Sequence, residues 1–282
     1  MSSTAILLID CPDRKGLVAA VANLLYAHGA NIIHADQHQD PEAGLFFMRV
    51  EWTLEGFELP LFRAEFETLA AGLAMNWQLE LSTEAPSVAI FVSQQLHCLV
   101  DLLHRQRSGE LNCNIAAVIS NHEDGRAIAE FQGAPFHLIP VAEVGKAEAE
   151  RRQFQLLDAA GVQLIVLARY MQILSPAFVR RYPGRIINVH HSFLPAFIGA
   201  KPYHQAFQRG VKLIGSTSHY VTEVLDDGPI IEQDVMRISH RDQVRDLAEK
   251  GRDLERIVLS RAVRWHLEHR ILRYGNKTVV FD

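Results

Sequence analysis

The chain has 282 residues, 48% hydrophobic and 22% charged, with a formal net charge of −5. That length suits two domains, and the balance excludes a disordered chain or a fibre. The charge is unevenly spread: residues 1–85 hold 12 acidic against 4 basic side chains, a net of −8, while the remainder holds 21 against 24, a net of +3, with 11 of the 14 histidines. The longest apolar stretches, such as 163–168, fall far short of the ~20 residues of a membrane span. The first ten residues have no basic run and reach Asp10, unlike a signal peptide. Three cysteines without a Cys-x-x-Cys give no disulfide framework, so a reducing cytoplasm is expected. A pI near 6.3 without basic runs argues against nucleic acid as a partner.

Residues 4–10 read as a buried strand, followed by the turn-rich stretch Cys11-Pro-Asp13-Arg-Lys-Gly16. Apolar positions 17, 18, 21, 24 and 25 then follow helical spacing up to Gly29, a C-cap candidate. Strands are expected over 31–39 and 45–53 around the turn 40–44, a helix over 59–73, and a last strand over 77–81. The order βαββαβ is the ferredoxin-like pattern. The polar segment 82–87, with Pro86, marks a boundary, dividing the chain into 1–84 and 85–282.

Beyond it the rhythm changes. Short apolar strands at 88–92, 115–119, 136–139, 164–167 and 186–189 alternate with helical stretches near 95–107, 144–160 and 175–181, which implies a doubly wound, mostly parallel Rossmann-like sheet. Two longer strands, 213–221 and 229–238, flank a turn and suit an antiparallel pair. A long helix, about 242–272, closes the chain, with apolar residues at 244, 247, 248, 254, 257 and 258. The fold class is α/β in two domains.

Chemistry concentrates between Arg185 and Gln205, a strand that breaks into a loop at Pro195. Ligands of open α/β sheets bind at the carboxyl ends of strands. Asn188 and His190, two apart, share one face of such a strand, and His191 would take the other. An amide donor beside an imidazole suits a carbonyl that is polarised and then takes negative charge. Downstream, Asp226-Asp227-Gly228-Pro229 is a turn carrying two carboxylates, weak evidence by itself.

Three segments in order resemble the folate-dependent formyltransferase family: Leu167-Ala-Arg169-Tyr170-Met171-Gln172-Ile173-Leu174-Ser175, Asn188-Val-His190-His-Ser192-Phe-Leu-Pro195, and Leu225-Asp226-Asp227-Gly228-Pro229-Ile-Ile. The resemblance implies Asn188, His190 and Asp226 as a catalytic trio, and Arg169, Tyr170, Met171, Gln172, Ile173 and Leu174 as folate-binding, with backbone amides on the pterin and Arg169 exposed towards the glutamate tail. His219 is a candidate for orienting Asp226. Residues 4–81 resemble an ACT domain, an amino-acid-sensing module. That resemblance makes Asp13 and Gly16 a candidate ligand loop, implies an amino-acid effector, and makes a homo-oligomer the default. The rival reading has Gly16 only making the turn and Asp13 only capping the helix.

Glycinamide ribonucleotide formyltransferases carry a Gly/Ser/Asn-rich phosphate loop after the first strand of this domain. The equivalent stretch, 88–98, has no glycine and so offers no backbone nest. Methionyl-tRNA formyltransferases add a further domain, and only about ten residues here follow the last expected helix. The whole chain therefore resembles the formyltetrahydrofolate deformylases, which implies hydrolysis of 10-formyltetrahydrofolate to tetrahydrofolate and formate, with water in place of the amine, no cofactor and no metal. Transfer of the formyl group to a small amine is the alternative, and a non-catalytic folate-binding regulator is a second. Ser192 lacks the Gly-x-Ser-x-Gly elbow of a serine hydrolase. His190, His191, His204 and His219 lack the spacing of a metal motif. Neither Gly-x-Gly-x-x-Gly nor a Walker loop occurs.

Overall fold

The computed structural model describes residues 3–195 and 202–281, so residues 196–201 of the motif-rich segment lie outside the described residues. The described residues form two compact units. One holds the residues up to Glu84 together with Glu268–Tyr274 and those from Thr278 on; the other holds Ala85–Leu267 with Gly275–Lys277.

The first unit runs β1 (Thr4–Pro12), α1 (Leu17–Ala27), β2 (Ile32–Asp40), β3 (Leu45–Thr53), α2 (Leu59–Leu73) and β4 (Asn76–Leu81). Its antiparallel sheet has the order β2-β3-β1-β4, the arrangement that βαββαβ requires. Strand alternation divides the core. Ala5, Leu7, Ile9 and Cys11 of β1, with Phe46, Met48, Val50 and Trp52 of β3, face Leu17, Val21 and Leu25 of α1 and Phe62, Phe66 and Ala70 of α2. Leu8 and Phe47 point to the opposite face, and there the structure departs from the expected boundaries. The last helix ends at Leu267 rather than near 272, and the hairpin β12 (Ile271–Tyr274) with β13 (Lys277–Val280) follows. Leu272, Val279 and Phe281 bury Leu8 and Phe47, each such side chain contributing ~1.5–3 kcal/mol. The division 1–84 and 85–282 is corrected accordingly: most of the last fifteen residues complete the first unit because its sheet is apolar on both faces.

The second unit runs β5 (Ser87–Val92), α3 (His97–Arg107), β6 (Asn114–Ser120), a 3-10 turn (Glu123–Gly125), α4 (Arg126–Phe131), β7 (Phe136–Leu138), α5 (Val141–Val144), α6 (Lys146–Ala159), β8 (Leu164–Ala168), α7 (Pro176–Arg181), β9 (Ile186–His190), α8 (Pro202–Arg209), β10 (Leu213–Tyr220), β11 (Ile230–Arg237) and α9 (Val244–Leu267). The sheet order is β11-β10-β9-β8-β5-β6-β7, parallel from β9 to β7 and antiparallel at β10 and β11. Phe91, Ile119, Ile165 and Ile186 pack with Leu157 of α6 and Phe178 of α7. The expected helix 144–160 is α6, which starts after Gly145; that glycine, at φ +81°, separates it from the short α5. No helix among the described residues is long and apolar enough to cross a membrane.

Strands β6 and β7 lie on one side of β5 and strands β8 and β9 on the other. The chain therefore reverses its direction of winding between β5 and β8, whose ends meet at the pair Val92 and Ala168. Ligand sites of open α/β sheets open at this point, beyond the carboxyl ends of the strands.

Candidate active site

Asn188 and His190 stand at the end of β9, and antiparallel pairing brings β10 alongside, with His219 opposite Asn188 and Thr217 opposite His190. His219 is 2% exposed. Its Nδ1 lies 2.9 Å from the Tyr220 carbonyl, to which it can only donate, so its Nε2 is the acceptor. The Asn188 Nδ2 donates to that Nε2 over 3.2 Å. This fixes which end of the amide is nitrogen and leaves its second N–H for another partner. Burial holds the His219 imidazole below its usual pKa, against the hydrogen bond to Tyr220 and the charge of Asp226.

Asp226 reaches the same place from the β10–β11 connection. Its Oδ2 is 3.3 Å from His190 Nδ1 and its Oδ1 3.8 Å from His219 Nε2. The hydrogen bond with His190 keeps the Asp226 carboxyl below its ordinary pKa although burial opposes this. Asp226 sits at φ +56°, a left-handed conformation that side chains other than glycine rarely take and that concentrates at functional sites. The turn is held in place by Gly228: a Cβ there would lie 1.7 Å from the Tyr220 carbonyl oxygen. His190 is buried, and among the described residues its Nε2 has no hydrogen-bond partner. A buried polar atom left open beside an engaged carboxylate is the mark of a group that meets something in function.

The trio lines a cavity of about 400 Å³ whose other walls are residues 169–174 and 221–225. Met171, Ile173, Val224 and Leu225 expose apolar side chains on facing loops, a slot suited to a flat ring system. The first loop is pinned at both ends. Ser93 Oγ accepts from the Met171 amide over 3.0 Å, and Ser175 Oγ accepts from the Phe178 amide over 3.1 Å, capping α7. Tyr170 faces inward: its ring meets Phe91 edge-on at 5.2 Å and its hydroxyl accepts from Gln153 over 3.0 Å, so its side chain anchors the loop.

Two expectations are corrected. Arg169 is not exposed. At φ +64° its side chain turns inward, with Nη1 donating to His191 Nδ1 and Nε 3.4 Å from Glu255, so it is not free for a glutamate tail. His191 does not take the opposite face from His190, because β9 ends at His190; the two rings stack 5.0 Å apart at 15°. Ser192 is buried and its carbonyl accepts from Thr217 Oγ1 over 2.9 Å, a structural position. His204 is exposed on α8, away from the cavity lining. In the first unit Gly16 begins α1 at φ +92°, and Asp13 accepts from Gln39 over 2.6 Å without capping that helix.

Sequence reading missed a buried cluster at the winding reversal. Glu255 of α9, 1% exposed, accepts from His97 Nε2 over 2.7 Å and from the Tyr203 hydroxyl over 2.8 Å, beside Arg169. A charged residue within the apolar spacing of α9 (Gly251, Leu254, Glu255, Val258) was the available signal. Burial pushes the Glu255 carboxyl up, but the bond from His97 and the charge of Arg169 outweigh it and leave its pKa lowered.

Burial, with Arg169 and His190 alongside, carries the pKa of His191 down from its ordinary 6.5 to about 4, against the opposing charges of Glu255 and Asp226. An unfolded chain takes up the proton that folded His191 refuses, so this contribution to stability is whole above pH 6.5 and lost as pH falls towards 4. The loss approaches ~3 kcal/mol at ~1.4 kcal/mol per pKa unit. The thermal midpoint is therefore expected to drop from pH 7 to pH 5, and the His191→Gln variant to drop less over the same range; equal slopes would contradict the assignment.

Residues 87–263 match the formyl transferase family and residues 5–61 the ACT domain family. The chain is 54% identical over 280 residues to the formyltetrahydrofolate deformylase of Synechocystis sp. (strain ATCC 27184 / PCC 6803 / Kazusa), covering 99% of this chain and 98% of that protein. The crystal structure of a formyltetrahydrofolate deformylase from Pseudomonas syringae pv. tomato str. DC3000 superposes with a TM-score of 0.97 at 49% identity, covering 100% of this chain and 95% of that one. The glycinamide ribonucleotide transformylase 1 of Symbiobacterium toebii, at 31% identity and a TM-score of 0.66, covers 70% of this chain and 95% of its own. An ACT domain followed by a formyl transferase domain, with relatives of this identity over nearly the full length, places the chain in the formyltetrahydrofolate deformylase family.

Proposed function

We propose that this chain hydrolyses 10-formyltetrahydrofolate to tetrahydrofolate and formate, with Asn188, His190 and Asp226 as the catalytic residues. The observation that carries the reading is the open Nε2 of His190, buried in the cavity wall, with Asp226 on its other nitrogen and the Asn188 amide fixed by His219. The pterin lies in the apolar slot formed by residues 169–174 and 221–225. Water attacks the formyl carbon while His190 Nε2 takes its proton, and the Asp226 carboxylate stabilises the imidazolium that results. The free Asn188 N–H holds the oxyanion. When the tetrahedral intermediate collapses, the C–N10 bond breaks, N10 receives a proton from His190, and formic acid loses its remaining proton to solvent. No cofactor takes part.

The same reading assigns regulation to the first unit. The Asp13–Gly16 loop, with the left-handed Gly16 opening the N-terminus of α1, is the site expected for an amino-acid effector. Self-association and a cytoplasmic role in one-carbon and purine metabolism belong to the same proposal. The test is an assay in amine-free buffer. Tetrahydrofolate and formate are expected in equal amounts; product that appears only when an amine is added would instead make the chain a transferase.

A further inference from the structure

We infer that His97, Tyr203 and Glu255 are specificity-determining residues: with Arg169 they fill the crevice at the sheet's winding reversal that would otherwise admit an amine acceptor, leaving water to attack the formyl carbon. The inference rests on the hydrolytic reading above.

The placement comes from the topology. Strands β5 and β8 end side by side, and the residues that follow them, Ser93 and Arg169, are joined by a backbone hydrogen bond of 3.3 Å. A second substrate would enter an open α/β sheet here, next to His190 on β9. This chain fills the position with its own side chains, drawn from three helices and the end of β8. His97 comes from the first turn of α3, Tyr203 from α8 and Glu255 from α9. Glu255 has donors on both oxygens, with the Arg169 guanidinium beside it. Arg169 in turn holds His191, whose ring stacks on His190, so the filled crevice directly adjoins the reacting imidazole.

The sequence makes room for this filling. A Cβ on Gly251 would lie 1.9 Å from the Tyr203 hydroxyl, so only glycine on that turn of α9 lets the phenol reach Glu255. The cluster is also closed to other guests. Donor atoms of His97, Cys98 and Glu255 lie within 4.8 Å of one another, yet Arg169 already supplies the positive charge, and burial pushes the Cys98 thiol well above its ordinary pKa. With no glycine between Val88 and Cys98, no backbone nest offers a phosphate an alternative foothold.

The test opens the crevice in the full chain with the double variant His97→Gly/Tyr203→Ala, which leaves Glu255 paired with Arg169. Parent and variant receive 10-formyltetrahydrofolate and increasing glycinamide, and formate and N-formylglycinamide are quantified by mass spectrometry. Formyl transfer breaks the C–N10 bond, joins the formyl carbon to the amine nitrogen, and moves one amine proton to N10. The parent is expected to give formate alone. The variant is expected to give N-formylglycinamide in proportion to the amine, at least ~10-fold above the parent, with the donor KM within ~3-fold. A folded variant that still yields formate alone overturns the inference. Should the double variant not fold, His97→Gly alone is judged by the same ratio, with added imidazole expected to return it to formate. A parent that releases no formate without amine would refute the hydrolytic reading instead, before any variant is compared.

Discussion

Replacing His190 by alanine is expected to lower kcat for formate release by ~10²–10⁴-fold, the range for a lost general acid–base group, with folate affinity little changed. His190 is the point where the mechanism converges. Its Nδ1 is engaged by Asp226, while its Nε2 is buried and has no hydrogen-bond partner among the described residues. The apolar slot proposed for the ring system is built from other side chains, Met171, Ile173, Val224 and Leu225, so binding is expected to survive the substitution. Steady-state kinetics with a competitive folate analogue separate the two quantities. A variant with near-normal kcat would remove His190 from the chemistry, and one that failed only in KM would make it a binding residue.

The second large effect is expected at a residue with no side chain. A Cβ on Gly228 would fall 1.7 Å from the Tyr220 carbonyl oxygen and 3.3 Å from His219 Nδ1. That carbonyl also receives the His219 proton that sets the imidazole tautomer, and through it the direction of the Asn188 amide. Gly228→Ala must therefore move the turn, displacing Asp226 two residues earlier, or push back Tyr220 and release His219. A misplacement of ~1 Å in a catalytic group can cost ~10²-fold in rate, so kcat is expected to fall by at least that much in a variant that still folds. Full activity in Gly228→Ala would show that the position of Asp226 does not limit the reaction.

The parts of the site written in one stretch of chain were legible from the residues alone. Asn188 and His190 share a strand, and their side-by-side geometry follows from the two-residue period of a strand. His219 was legible only as a partner for Asp226, whereas the register of β10 against β9 gives it a closer one in Asn188. What escaped were contacts whose members lie far apart in sequence. Glu255, His97 and Tyr203 meet only because three helices converge on the end of β8; the charge of Glu255 within the apolar spacing of α9 signals a buried carboxylate but names neither of its partners. Arg169 read as a surface residue because a charged side chain in a loop normally is one; its left-handed backbone and the buried Glu255 turn it inward.

The same distinction governs the fold. Both ladders follow from apolar periodicity and turn residues, and the βαββαβ order from the chain sequence of the elements. The terminal hairpin did not follow, although β1 carried a signal for it. Ala5–Ile9 is apolar at every position, whereas a sheet covered by helices on one side only would alternate with polar residues. A continuous run calls for a second cover, which Leu272, Val279 and Phe281 provide.

The central claim is that water is the acceptor, and a single turnover in H₂¹⁸O without amines tests it most directly. Formate carrying one ¹⁸O and one ¹⁶O, in equal amount to tetrahydrofolate, is the predicted result. Unlabelled formate, or no turnover until an amine is supplied, would contradict it.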